Sequence, residues 1–176
     1  MPLRDIGARE DYDNYVSNVM SMHNIDFVVL AGYTSLLTYQ LTDVYPIMNV
    51  HHGDLSITDE QGARKYTGKH AVTNALLAGE TELRSTIHMV DRGENTGPIL
   101  LVSPPIAVIE QDYGKMDGSE LTQFAESYKR GLREPGDKIL LPTILKSLAE
   151  GRFARDREHN FYFNGEAIPD GLRLTY

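Results

Sequence analysis

The sequence contains no cysteine. That removes a disulfide framework, a thiolate zinc site and a thiol nucleophile at one stroke, and it suits a reducing compartment. Long apolar runs are missing too: nothing approaches the roughly 18 consecutive apolar residues of a membrane span. The opening Met1-Pro2-Leu3-Arg4-Asp5 has none of the apolar stretch that a secretory leader carries. Basic residues are in deficit, 17 against 25 acidic, for a formal net charge of −8. A nucleic-acid-binding domain normally shows a basic face. The basic clusters here, Lys129-Arg130 with Arg133 and Arg152-Arg155-Arg157, are interleaved with acids and read as solvated surface. The expectation is a cytoplasmic protein with neither nucleic acid nor membrane as a partner.

What is present fits one packed domain. The chain has 176 residues, 41% of them hydrophobic, so residues 1–176 are expected to form a single domain with an ordinary core. From Arg9 to His23, Tyr12, Tyr15, Val16, Val19 and Met20 recur at helical spacing and predict an amphipathic helix. Ile25 to Ala31 is a short apolar run ending at Gly32, the pattern of a strand buried on both faces of a parallel sheet. Thr34 to Leu41 predicts a short helix and Pro46 to His51 a second buried strand. This helix–strand–helix–strand order points to the α/β class.

His52 to Thr67 is polar and long for a loop, which suggests a functional or mobile segment. Lys69 to Ala78 returns to helical spacing, with Gly79 as a C-cap. Leu83 to Val90 and Pro98 to Val102 predict two strands joined by the loop Asp91 to Gly97. Asp117 with Glu120 has the form of a capping box. It opens a helix expected to stop before Pro135, with a second from about Gly136 to Ala149 that Pro142 should kink or delay. Phe161-Tyr162-Phe163 and Leu172-Arg173-Leu174 predict short strands, with Asn164-Gly165 as a hairpin turn.

Chemistry concentrates at the end of the second strand. Asn49 and His51 are two apart, so period-2 geometry puts both on one face while Val50 and His52 point away. Ligands of open α/β sheets bind beyond the carboxyl ends of the strands. There an Asn amide can donate to an oxyanion and a His can carry a proton. Alone, Asn-x-His equally describes a strand end meeting solvent.

Further segments carry a family resemblance. Val28-Val29-Leu30-Ala31-Gly32-Tyr33, Asn49-Val50-His51, Tyr66-Thr67-Gly68-Lys69-His70, His88-Met89-Val90-Asp91-Arg92-Gly93-Glu94-Asn95-Thr96-Gly97-Pro98 and Leu148-Ala149-Glu150-Gly151-Arg152 occur in that order. Together they resemble the glycinamide ribonucleotide formyltransferases and, more broadly, formyltransferases that use 10-formyltetrahydrofolate. The resemblance implies a Rossmann-like α/β fold, a mostly parallel sheet with flanking helices, and formyl transfer to an amine with no metal. It implies that Asn49 polarises the formyl carbonyl and His51 moves the proton. Asn95 stands at the third catalytic position. It implies a folate site of Tyr33, Thr34, Ser35, Leu36 and Leu37 facing Val90, Asp91, Arg92, Gly93 and Glu94. His70 and Asp137 fall on the substrate side, Asp137 where the family has an acid that holds the amine.

Three departures accompany the resemblance. The family has Asp where this chain has Asn95. A neutral amide cannot stabilise imidazolium by charge, so less His51 should be protonated at neutral pH; Asp91, Glu94 and Asp54 are carboxylates that could compensate. The family's N-terminal strand–helix units, with a Gly-rich loop that binds phosphate, have no counterpart in this sequence. The strand at Phe27 to Ala31 then lacks a neighbour, and such an edge predicts a covering partner: a homodimer contact, a separately encoded N-terminal half, or the missing part of a truncated gene. The family's Pro-Ser-Leu-Leu-Pro after the His is absent; His52-Gly53-Asp54-Leu55 stands there and the loop to Tyr66 is longer, so the acceptor is expected to differ from glycinamide ribonucleotide.

Other readings remain open on sequence. His51, His52, Asp54, His70 and His88 are metal-ligand types and would suit a metal-dependent hydrolase if they clustered. His70 also reads as a helix-start residue and His88 as a buried structural histidine. A non-catalytic folate- or partner-binding homologue is a further possibility, as is a hydrolase that hands the formyl group of formyltetrahydrofolate to water.

Overall fold

The computed structural model describes residues 6–33 and 35–176. The chain opens with helix α1 (Ile6–Met20), strand β1 (Val28–Leu30), helix α2 (Tyr39–Thr42) and strand β2 (Ile47–His51). Helix α3 (Ala71–Leu77) then precedes β3 (Glu82–Leu83), β4 (Thr86–Met89), β5 (Ile99–Val102) and β6 (Ile106–Ala107). Helices α4 (Gly118–Arg133) and α5 (Leu141–Ala149) lead to β7 (Phe153–Arg155), β8 (Phe161–Phe163), β9 (Glu166–Ala167) and β10 (Leu172–Arg173).

The central sheet runs β1-β2-β4-β5-β10. β1 pairs with β2 in parallel through the α2 crossover, and β10 joins β5 in parallel. The short loop between β4 and β5 makes them an antiparallel hairpin, and β4 is also antiparallel to β2. The α/β Rossmann-like architecture expected from the sequence is present, with the sheet mixed rather than uniformly parallel around β4. The sheet packs on α5 and the turn before it: Met48, Ile87, Leu100 and Leu101 meet Leu140 and, from α5, Ile144 in a buried cluster. Helices α3 and α4 build a second cluster with Tyr66, Val72, Leu76, Leu83, Tyr113 and Leu132. A side meander of β7, β8 and β9 closes the chain. No described helix is long and apolar enough to cross a membrane.

Several elements differ from their sequence-based expectation for physical reasons. α1 forms, but Tyr12, Tyr15 and Val19 are exposed and Asp13 is its buried residue. The helix docks through polar groups instead: Asp13 accepts from the Thr38 amide at 2.7 Å, and Arg9 donates to the Tyr33 hydroxyl at 2.6 Å. β1 is half-buried because it lies at the sheet edge with β2 alone beside it. The helix expected from Thr34 is reduced to Tyr39–Thr42. α4 ends at Arg133, ahead of Pro135 as the sequence predicts, but helical structure continues. The chain widens into one π-helical stretch, Glu134–Leu140, and runs on into α5. In that stretch Gly136 presses on the sheet, where an added Cβ would lie 2.7 Å from Ser85 Oγ.

Other local signals match. Asp117 and Glu120 form the reciprocal capping box of α4. Asn164 and Gly165, at φ of 50° and 86°, turn β8 into β9 as an Asn-Gly hairpin requires. The long 52–67 segment is not loose: Leu55 and Tyr66 are buried, and Thr58 bridges Arg64. Thr86 Oγ1 donates to Gly53 O at 2.7 Å and accepts from Leu55 N at 3.2 Å, which ties the segment to β4.

Candidate active site

Strand alternation builds the site. Register places Asn49 opposite His88 and His51 opposite Thr86, so these four side chains share one face, away from the α5 cluster. The β4–β5 loop folds back over that face and delivers Asn95 in the left-handed region at φ 59°, which an Asn tolerates better than most residues. Asn95 Oδ1 accepts from the Gly68 amide at 2.8 Å. Arg64 donates to the carbonyls of Asn95 and of Gly97, the latter at 2.9 Å, and so fixes the loop from below.

The hydrogen bonds determine the protonation of the central imidazole. His88 Nδ1 lies 2.7 Å from the Met89 carbonyl, which can only accept, so Nδ1 carries the proton. Neutral His88 therefore presents a lone pair at Nε2. Asn95 Nδ2 reaches that nitrogen at 3.1 Å and Asn49 Nδ2 at 3.4 Å, both as donors. Burial holds the His88 imidazole below its ordinary range. The Met89 carbonyl works against burial, Arg64 with it, and Asp91 raises the pKa weakly. At neutral pH the cluster is two amides facing one unprotonated nitrogen.

His51 sits beside this group with a different partner. Its Nε2 donates to the Tyr66 carbonyl at 2.7 Å, leaving Nδ1 as the lone-pair nitrogen. Burial pushes its pKa down to about 4, with the Tyr66 carbonyl opposing and the charges of His88, His52 and Arg64 adding to the depression. Gly53 is required here: a Cβ on it would stand 2.7 Å from His51 Nε2 and 2.8 Å from Tyr66 O.

The remaining expected residues are placed unevenly. Val90, Asp91 and Arg92 line a groove of about 440 Å³ with Tyr45, Pro46 and Met89 among others. This size and its partly apolar floor suit a planar heteroaromatic group with polar edges. Asp91 accepts from the Gly93 amide at 3.0 Å and the Thr96 hydroxyl at 2.6 Å, which shapes the loop. Arg92 pairs with Asp43 across the groove, and the Glu94 carboxylate lies against Gly68. Tyr33 is tied to Arg9, whereas Leu36 is exposed. Ser35 and Leu37 are half-buried on the same connection; Thr34 lies outside the described residues. His70 is exposed at the start of α3 and makes no side-chain cap. Asp137 lies in the π-helical stretch, half-buried, and its charge raises the His52 pKa against the effect of burial.

Two features escaped sequence reasoning. Arg64 anchors the loop, but nothing in its local sequence links it to residues 95 and 97. His88, which the sequence offers only as a metal-ligand type or a buried structural histidine, is the centre on which Asn49 and Asn95 converge; its pairing opposite Asn49 is the signal that could have found it. The five metal-ligand types diverge. His51 binds the Tyr66 carbonyl and His52 the Ser85 hydroxyl. Asp54 is bound by Ser56 and Arg173. Among the described residues none of these groups form a set able to hold a metal ion.

Comparison with known proteins places this site in context. Residues 1–128 match the formyl transferase family. The chain is 25% identical over 161 residues to a phosphoribosylglycinamide formyltransferase of Haemophilus influenzae, covering 90% of this chain and 66% of that one. It is 30% identical over 160 residues to the trifunctional purine biosynthetic protein adenosine-3 of Drosophila pseudoobscura pseudoobscura, covering 88% of this chain and 10% of that protein. The solved phosphoribosylglycinamide formyltransferase of Coxiella burnetii superposes with a TM-score of 0.67 at 21% identity, over 94% of this chain and 69% of that one. The chain thus spans no more than about two thirds of these curated relatives.

Proposed function

Because the chain belongs to the formyl transferase family, we propose that it transfers a formyl group from 10-formyltetrahydrofolate to an amine other than glycinamide ribonucleotide. The observation that supports this reading is the convergence of Asn49 and Asn95 on His88, with His51 on the same face. The folate supplies the activated formyl carbon, and the size of the groove along Val90, Asp91 and Arg92 supports assigning its ring system there. Asn49 donates its Nδ2 hydrogen to the carbonyl oxygen as negative charge builds there. His51 through Nδ1 takes the proton that the attacking amine must lose and returns it to the departing nitrogen. Atoms balance: the amine loses one proton and the folate nitrogen gains one. Asn95 holds His88 neutral and closes the loop over the site.

The reading is tested by measuring formyl transfer to a panel of small primary amines. Asn49→Ala should slow transfer by about 10²–10³-fold, the loss typical of one oxyanion donor. Transfer unchanged in Asn49→Ala would remove the site from the reaction.

We extend the proposal to assembly. The open edge of β1 and the exposed Tyr12, Tyr15, Val19 and Met22 of α1 and its end favour cover by another chain, a second copy first. Light scattering showing a monomer at high concentration would count against the second copy.

A further inference from the structure

Residues 57–65 form a ribbon whose tip stands in solvent. Ile57 packs on the α3–α4 cluster and Tyr66 is buried, but Thr58 to Ala63 are exposed. The tip is stapled from within. Asp59 Oδ1 accepts from the amides of Gln61 at 3.0 Å and Ala63 at 2.8 Å, and the Asp59 amide donates to the Ala63 carbonyl at 2.8 Å. Thr58 bridges Arg64, and the Lys65 amide donates to the Ile57 carbonyl at 3.0 Å, which joins the two arms. Ordering backbone costs about 1–2 kcal/mol per residue, and six exposed residues bury little to offset it. What the ribbon delivers is the half-buried side chain of Arg64.

Arg64 Nη1 donates to the carbonyls of Asn95 and Gly97. The residues that follow it hold the site at two more points. The Gly68 amide donates to Asn95 Oδ1 at 2.8 Å, and the Tyr66 carbonyl accepts from His51 Nε2 at 2.7 Å. With Oδ1 committed to Gly68, the Asn95 NH₂ is the end left for His88 Nε2, which it reaches at 3.1 Å. Residue 95 is therefore gripped at its backbone by Arg64 and at its side chain by Gly68. The grip works against a tightly wound loop. Asn95 stands at φ 59°, and Gly97 passes so close to the Met89 carbonyl oxygen that a Cβ would lie 2.0 Å from it. Asp91 winds the loop from inside through the Gly93 amide and the Thr96 hydroxyl, but a carboxylate has no hydrogen to give the two carbonyls.

The guanidinium also brings a permanent positive charge. His88 is faced by the neutral Asn49 and Asn95, by Asp91 and by Arg64; the charges acting on His51 are those of His88, His52 and Arg64. Arg64 disfavours the imidazolium of both rings, and Asp91 opposes it at His88.

We propose that Arg64 is a positioning residue of the amide–imidazole cluster: it latches the exposed ribbon onto the 91–97 loop and, through Asn95, keeps the Nε2 lone pair of His88 capped by an amide. The extra length of the 52–67 segment then has a use, since the ribbon is what carries Arg64 to the two carbonyls. Releasing the latch frees the Asn95 backbone and opens His88 to water.

The experiment follows the ring nitrogens and the backbone amides of the full chain by ¹⁵N NMR. In Arg64→Met the Gly68 amide should exchange at least tenfold faster while the core amide of Leu101 keeps its rate, and His88 should titrate at higher pH than in the wild type. Arg64→Lys keeps the charge and one donor, so His88 should titrate as in the wild type, with Gly68 exchange between the two. Asp59→Ala loosens the ribbon with Arg64 in place and should speed Gly68 exchange by a smaller factor. Ethylguanidinium added to Arg64→Ala should restore Gly68 protection. In the transfer assay Arg64→Met should lower kcat about tenfold or more, with a smaller change in KM, and Arg64→Lys should recover most of that loss. Arg64→Met matching the wild type at Gly68 and His88 would overturn the proposal. So would a rise in exchange shared equally by Leu101, or Lys and Met variants that behave alike. This inference rests on the formyl-transfer reading only in the kinetic arm. The stated NMR changes in a protein that transfers no formyl group would sink that reading and spare this one.

Discussion

Asn95→Asp is the substitution in which the geometry makes its most specific demand. The change is isosteric and keeps the bond from the Gly68 amide at 2.8 Å. It replaces the amide NH₂ that now donates to His88 Nε2 at 3.1 Å with a carboxylate oxygen that cannot donate. Because His88 Nδ1 is already committed to the Met89 carbonyl, neutral His88 would set a lone pair against a carboxylate. The conflict is relieved by protonating Nε2. A carboxylate in contact raises an imidazole pKa by about 1–3, worth roughly 1.4–4 kcal/mol of preference for the cation. In the wild type, burial pulls the other way and Asp91 acts only weakly.

The sign for stability follows. Asn95→Asp raises the folded-state pKa of His88 relative to the wild type, so the variant gains stability over the wild type as pH falls through the His88 titration and loses that gain as pH rises above it. The assay is a proton-detected NMR titration of the His88 ring in both proteins, with His51 as internal reference. His88 should move up and His51 should stay low. A His88 that titrates identically in the two proteins would refute the tautomer argument, and a rise confined to His51 would assign the third catalytic position to His51 instead. Formyl transfer at neutral pH should also rise in Asn95→Asp, and no gain there would count against a proton-moving role for the cluster.

Other perturbations test separate parts of the structure. His51, depressed to about 4 from 6.5, leaves the unfolded chain binding the extra proton as pH falls between those values. Stability should therefore drop by about 3 kcal/mol across that window, read by urea unfolding at pH 7 and pH 4, and His51→Gln should flatten the drop. Gly97→Ala places a Cβ 2.0 Å from the Met89 carbonyl oxygen. It should cost at least about 1–3 kcal/mol and release the loop that carries Asn95, seen as faster amide exchange at Gly68. Asp117→Ala removes the side-chain acceptor of the Ser119 and Glu120 amides, and thermal unfolding should report a loss of about 1 kcal/mol. Leu140→Ala, in the fully buried contact between the π-helical stretch and the sheet, should cost about 2–5 kcal/mol.

What the sequence disclosed and what it hid divide along a physical line. Signals written in adjacent residues were legible: the Asp117–Glu120 box, the Asn164-Gly165 turn, and the shared face of Asn49 and His51. Each depends on backbone geometry within a few residues. The misreadings depended on what packs against an element. Tyr12, Tyr15 and Val19 have the spacing of a buried stripe, but Asp13 with Arg9 supplies the docking contact, so the helix turns that stripe outward. Pro135 has the chemistry of a helix stop and α4 does end at Arg133, yet the chain runs on in π-helical register, and Gly136 there reaches Ser85.

The site followed the same rule, and this bears on what Asn95 means. Judged from sequence, an amide in place of a carboxylate is a loss, because charge is missing beside His51. In the structure the amide serves His88, and the direction of its hydrogen bond is set by the Met89 carbonyl on the other side of that ring. A donor at residue 95 keeps His88 neutral, and a carboxylate there would make it a cation. The Asn therefore selects a protonation state. It leaves a site with two unprotonated imidazoles at neutral pH, suited to accept a proton from an incoming amine and poorly suited to offer one first.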